Sequence, residues 1–189
     1  MPCSAADRDV HDSLINSFAL VAYLPEPLGA CVEALRRQAH SQDERGHVTI
    51  LPPRPLACLE ENAAAELEIA AASLQPFWVE LREVLVFPSS GVLYLSIGEG
   101  AQELIALHAT LGQARLRFLE YFEYHPHVTL AMSLPRADLA RTAREAARQW
   151  SSYTGPRRFL LDRMTLVRNT RNNHWRNLRE FQLGAPVTV

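Results

Sequence analysis

Two nearly identical tetrapeptides, His47-Val48-Thr49-Ile50 and His127-Val128-Thr129-Leu130, occupy corresponding places in the two halves of a 189-residue chain. On an extended strand, residues i and i+2 point the same way. His47 and Thr49 therefore share one face while Val48 and Ile50 point to the other, into a core, and His127 with Thr129 repeats the arrangement. One such strand is ordinarily a half-exposed surface. Two in equivalent positions favour a duplicated fold that turns both polar faces toward one space.

The flanking sequence repeats as well. Residues 17–24 (SFALVAYL) read as a strand, and Glu26-Pro27 opens a helix carrying Leu28, Cys31 and Leu35 at helical spacing. The first motif is a short strand at 47–51, stopped by Pro52-Pro53, and a helix runs from Pro55 to Leu74. Two β-rich runs, 77–87 and 91–97, meet at Pro88-Ser89-Ser90-Gly91, a hairpin signal, and a helix follows over about 101–112. The second half has its motif strand at 127–132, an amphipathic helix at 135–150, and an antiparallel pair at 158–167 and 175–183. The expected fold class is α+β: a single bilobed domain over 1–189, two antiparallel sheets facing a central cleft with helices outside, and residues 1–13 as a loose arm.

Nearly half of the residues are hydrophobic, enough for a sizeable core. No apolar stretch approaches the roughly 18 residues that would span a bilayer, and no basic segment leads into an apolar run at the N-terminus. The reading is a cytoplasmic protein with no membrane partner, taken as a monomer. Net charge is only −2, which argues against coating nucleic acid by bulk electrostatics. All 19 basic residues are arginine, and they crowd the segment after Pro135, where an anion could be held. A solvated helix face accounts equally for Arg141, Arg144 and Arg148. Cys3, Cys31 and Cys58 have no metal-ligand spacing and read as idle or buried thiols.

If the two motif strands share a cleft, the site holds two imidazoles and two hydroxyls with no carboxylate, a set suited to a phosphodiester. Unperturbed imidazole titrates near pH 6.5, so one ring can act as base while the other acts as acid. Threonine hydroxyls can donate to non-bridging phosphate oxygens. His125-Pro126-His127 could be a chelating pair, but Pro126 enforces an extended backbone and no third ligand has suitable spacing, so no metal is expected.

These residues resemble the two-histidine phosphoesterase superfamily, in particular its branch of bacterial 2′,5′ RNA ligases and RNA 2′,3′-cyclic phosphodiesterases. The likeness covers both His-x-Thr-hydrophobic motifs, Pro126 before the second, the helix after each, and the closing strand-loop-strand from Met164 to Leu183. It implies catalysis without metal or other cofactor, on RNA or a nucleotide ending in 2′,3′-cyclic phosphate, by His47, Thr49, His127 and Thr129. It also implies that His127 is the base and His47 the acid. Many relatives carry an Arg two places after the second motif's hydrophobic residue, where this chain has Met132. Arg54, Arg168 and Arg171 are candidates to supply a phosphate-binding cation instead, because a guanidinium holds phosphate in bidentate fashion. Trp175, in the loop VRNTRNNHW, is a candidate for base stacking. Hydrolysis to a 2′-phosphate and reversible 2′,5′ ligation remain open. So do a phosphodiesterase for a small nucleotide such as ADP-ribose cyclic phosphate and a binding module without turnover.

Overall fold

The computed structural model describes residues 13–39, 45–132 and 134–184. The arm read at 1–13, Ser13 apart, and Cys3 lie outside the described residues.

Eight strands and four α-helices are present among the described residues: β1 Leu14–Tyr23, α1 Leu28–Gln38, β2 His47–Arg54, α2 Glu60–Ser73, β3 Phe77–Val86, β4 Leu93–Ile97, α3 Ala101–Leu111, β5 His127–Ala131, α4 Arg136–Ser152, β6 Arg158–Leu161, β7 Arg163–Thr170 and β8 Trp175–Gln182. The fold is α+β. Two four-stranded antiparallel sheets have the orders β2-β1-β7-β8 and β5-β4-β3-β6. Each sheet thus carries one motif strand at an edge, and these two edges lie against each other.

Alternation along each strand divides the residues between two environments. Phe18, Leu20 and Ala22 of β1 enter the main core with Val48, Ile50, Val128 and Leu130, and the last four are fully buried. Ala19, Val21 and Tyr23 take the opposite face. Helices close the core side: α1 buries Leu28, Val32 and Leu35, and α4 buries Thr142, Ala146 and Trp150, both at spacings that keep one helical stripe inward. No helix is long and apolar enough to cross a membrane among the described residues.

Several sequence-based boundaries move. Pro52 and Pro53 do not stop β2, which continues to Arg54 opposite Phe18. At a sheet edge one side of the strand lacks a neighbour, so a missing N–H is tolerated there. Residues 55–59 are irregular, so α2 begins at Glu60 and Cys58 sits before the helix, half-buried against the core. The run read as one strand at 158–167 divides at Asp162. β6 pairs with β3 in the second sheet, whereas β7 pairs with β1 and β8 in the first. The chain therefore passes from one sheet to the other at that residue.

Candidate active site

The sheet register puts the motif side chains on the faces turned away from the core. Val21 stands opposite Thr49 and Tyr23 opposite His47; in the other sheet Tyr94 stands opposite Thr129 and Ser96 opposite His127. His47, Thr49, His127 and Thr129 are all half-buried, and neither threonine hydroxyl has a partner among the described residues.

Both imidazoles are held in the same way. His47 Nδ1 lies 2.8 Å from the Arg45 carbonyl oxygen, and His127 Nδ1 lies 2.6 Å from that of His125. A carbonyl only accepts, so each Nδ1 carries the proton and each Nε2 is the nitrogen available for chemistry. A neutral ring then offers a lone pair at Nε2, and a protonated ring offers an acidic N–H there.

Burial, ahead of every other influence, pushes His47 down to about 4; Arg36 and His127 lower it further, against the raising effect of its hydrogen bond to Arg45. The edges β2 and β5 that carry the two rings lie against each other. His127 is lowered too, chiefly by burial and also by His125. Near neutral pH both rings are therefore neutral.

Aromatic rings pack around each histidine. Tyr23 meets His47 edge-on with centroids 6.2 Å apart. Phe87 and Tyr94 stack at 4.0 Å, and both meet His127 edge-on, at 5.1 and 5.4 Å. Trp175 packs with Tyr23 against Ala19, Val21 and Val167, on the same face as Thr49. Beside Tyr23 a cavity of about 540 Å³ opens, with Arg45, Leu160, Thr165 and Glu180 in its lining.

The three arginines singled out in the sequence are not gathered here. Arg54 is 3 % exposed, and it donates to the carbonyls of Pro52 and Leu116 and to Glu120, 2.6 Å away. Its cation already has an internal partner. Arg168 lies over the Phe18 ring, on the core side of the first sheet, and is bound to Ile15 O and Glu60. Arg171 follows Thr170, which pairs with Leu14, seven positions along β1 from Val21. At strand rise that separates it from the Thr49 row by roughly 20 Å. Met132 is 67 % exposed and brings no charge. His125 is exposed and 6.4 Å from His127, centroid to centroid, and no group of three or more His, Cys, Asp or Glu suited to a metal occurs among the described residues.

Sequence reasoning missed several residues that shape the site. Arg36 on α1 donates from Nη1 to the Thr129 carbonyl at 3.0 Å, and Tyr124 donates its hydroxyl to the Thr49 carbonyl at 2.8 Å. Each half thus supplies a donor to the other half's motif threonine. His108 on α3 adds a bond to Ile50 O at 2.8 Å and stacks on Tyr124 at 4.0 Å. Tyr23 was within reach of strand alternation alone; Arg36, Tyr124 and His108 depend on contacts distant in sequence.

A sequence model of the 2′-5′ RNA ligase superfamily matches residues 24–173. The chain belongs to that superfamily. Its two-histidine fold is shared with Escherichia coli LigT. The LigT complex with NADP+ superposes with a TM-score of 0.58 at 18 % identity, over 92 % of this chain and 100 % of that one. The complex with 3′-AMP gives 0.61 at 16 %, over 90 % and 99 %. Usb1 of Kluyveromyces marxianus gives 0.50 at 11 %, over 86 % and 97 %. These identities establish the fold alone. Curated protein sequences gave no match.

Proposed function

We propose that this member of the superfamily is a metal-independent phosphoesterase that opens the 2′,3′-cyclic phosphate of RNA or of a nucleotide to a 2′-phosphate. The observation that carries the reading is the matched pair of imidazoles, each with Nδ1 fixed on the carbonyl two residues before it and Nε2 left for chemistry. Water attacks phosphorus while His127 Nε2 takes its proton. The P–O3′ bond breaks and His47 Nε2–H protonates the departing oxygen. Thr49 and Thr129 donate to the non-bridging oxygens. Running the same steps with a 5′-hydroxyl in place of water gives 2′,5′ ligation.

Trp175, packed on the Ala19, Val21 and Val167 cluster on the sheet face that also bears Thr49, supports a nucleobase stacking on that face. That structures of the relative LigT hold 3′-AMP, ATP and phosphate agrees with a nucleotide phosphate as ligand. The test mixes purified protein, with EDTA present, with an oligonucleotide ending in 2′,3′-cyclic phosphate and identifies the product. A 2′-phosphate formed at an unchanged rate with and without chelator is expected. Turnover that stops on chelation and returns with a divalent ion would replace the mechanism with a metal-assisted one.

A second reading, a nucleotide-binding module without turnover, draws on the exposed Met132 where relatives carry a cation. Tight binding of the cyclic nucleotide with no product after prolonged incubation would favour it.

A further inference from the structure

Arg45 differs from the other arginines around the site. Its own carbonyl fixes His47. Its guanidinium carbon lies over the Tyr23 ring, 4.1 Å from the centroid, and Tyr23 is the cross-strand neighbour of His47. Unlike those of Arg54 and Arg168, its guanidinium makes no hydrogen bond or ion pair among the described residues. It is exposed and lines the 540 Å³ cavity that adjoins His47 through Tyr23. Stacking on an aromatic face holds a guanidinium in a fixed plane while leaving its N–H donors pointing outward along the edge. What results is a cation two residues from His47, beside a cavity and with guanidinium donors that have no partner among the described residues.

We propose that Arg45 is a substrate-binding residue, whose guanidinium engages the non-bridging oxygens of the phosphate at His47 and so supplies the positive charge absent at Met132. This assignment rests on the phosphoesterase reading for the identity of the substrate, but not for the binding of an anion. The cation then approaches from the first sheet, on the His47 side, instead of from the strand end beyond His127. Tyr23 sets the plane of the fork, and the cavity leaves room for the remainder of a nucleotide.

The experiment uses the full chain with inorganic phosphate as probe. Phosphate is titrated while the imidazole signals of His47 and His127 are followed by NMR, in the wild type, Arg45→Lys and Arg45→Met. Turnover of a 2′,3′-cyclic nucleotide is measured in parallel. Arg45 is exposed, so neither variant threatens the core. Arg45→Met is expected to weaken phosphate binding by about 10- to 100-fold, as for loss of a charge-assisted hydrogen bond, and to raise KM more than it lowers kcat. Arg45→Lys is expected to fall between, because an ammonium keeps the charge without the planar fork. Wild-type phosphate affinity in Arg45→Met, or a wild type whose histidine signals ignore phosphate, overturns the proposal. If phosphate binds through Arg45 yet no cyclic nucleotide is turned over, the anion site stands and the reaction falls. If turnover is robust and indifferent to Arg45→Met, the reaction stands and Arg45 is an ordinary surface residue.

Discussion

At the scale of single residues, the proposed reaction divides a proton transfer between His47 and His127. Replacing either by Ala should lower turnover by about 10²- to 10⁴-fold with the fold intact by circular dichroism. The double variant should lose far less than the product of the two single losses. A His47→Ala protein that kept near wild-type kcat/KM would remove this histidine from the reaction. Both rings titrate below the ordinary imidazole value, His47 at about 4, so the bell in kcat/KM should be centred on the acid side of pH 6.5. Anion binding favours the protonated ring, so phosphate should be taken up with a proton and bind more tightly as pH falls. In His127→Gln the acidic limb should flatten while the basic limb persists; the opposite outcome exchanges acid and base. The placement of the two motif histidines and threonines on the faces away from the core was legible in the sequence because a motif and strand parity suffice to place them. The cation was not. Arg54 follows the first motif closely in sequence, yet strand rise and its bond to Glu120 take it into the interior. Arg45 earns notice only once Tyr23 is seen beneath it.

At the scale of elements, the spacing between β2 and β5 decides whether the two imidazoles can meet one phosphate. These edges are joined from beneath by Arg36 to Thr129 O, Tyr124 to Thr49 O and His108 to Ile50 O. Tyr124→Phe removes one hydroxyl and leaves the stack on His108. It should cost about 1 kcal/mol of stability and lower kcat while changing KM little. Arg36→Met should destabilise more, because Arg36 itself is only 6 % exposed and its loss removes a charge-assisted donor from the Thr129 carbonyl. Thermal unfolding and steady-state kinetics on the two variants check the order. Helical stripes and alternating strands were visible in the sequence because they are local. The extension of β2 through Pro52 and Pro53 was not, since tolerance of proline depends on an edge position that only the assembled sheet defines. The break at Asp162 was hidden for the same reason: RFLL and RMTLVRNT are both good strands, and nothing between them declares that they belong to different sheets.

At the scale of the whole molecule, holding a histidine neutral ties the reaction site to stability. His47 is depressed to about 4 in the folded state, against about 6.5 in an unfolded chain. The unfolded chain therefore takes up the proton first as pH falls. The contribution is fully present above pH 6.5, shrinks between about 6.5 and 4, and is exhausted below. Urea unfolding across that window should show a fall in stability that is shallower in His47→Gln. The bilobed α+β plan was legible because its two halves repeat in the sequence, whereas the exchange of strands between them was not.

That exchange also orders events while the protein is being made. The strand that completes the centre of the first sheet, β7, is synthesised long after its neighbour β1, because β2 through β6 leave the ribosome in between. A nascent chain halted before residue 163 holds only β1 and β2 of the first sheet, joined through α1, while β3, β4, β5 and β6 can already pair. Two strands alone are marginal in water. The His47 half of the site should therefore stay open to protease until the last strands emerge, and the His127 half should become resistant first.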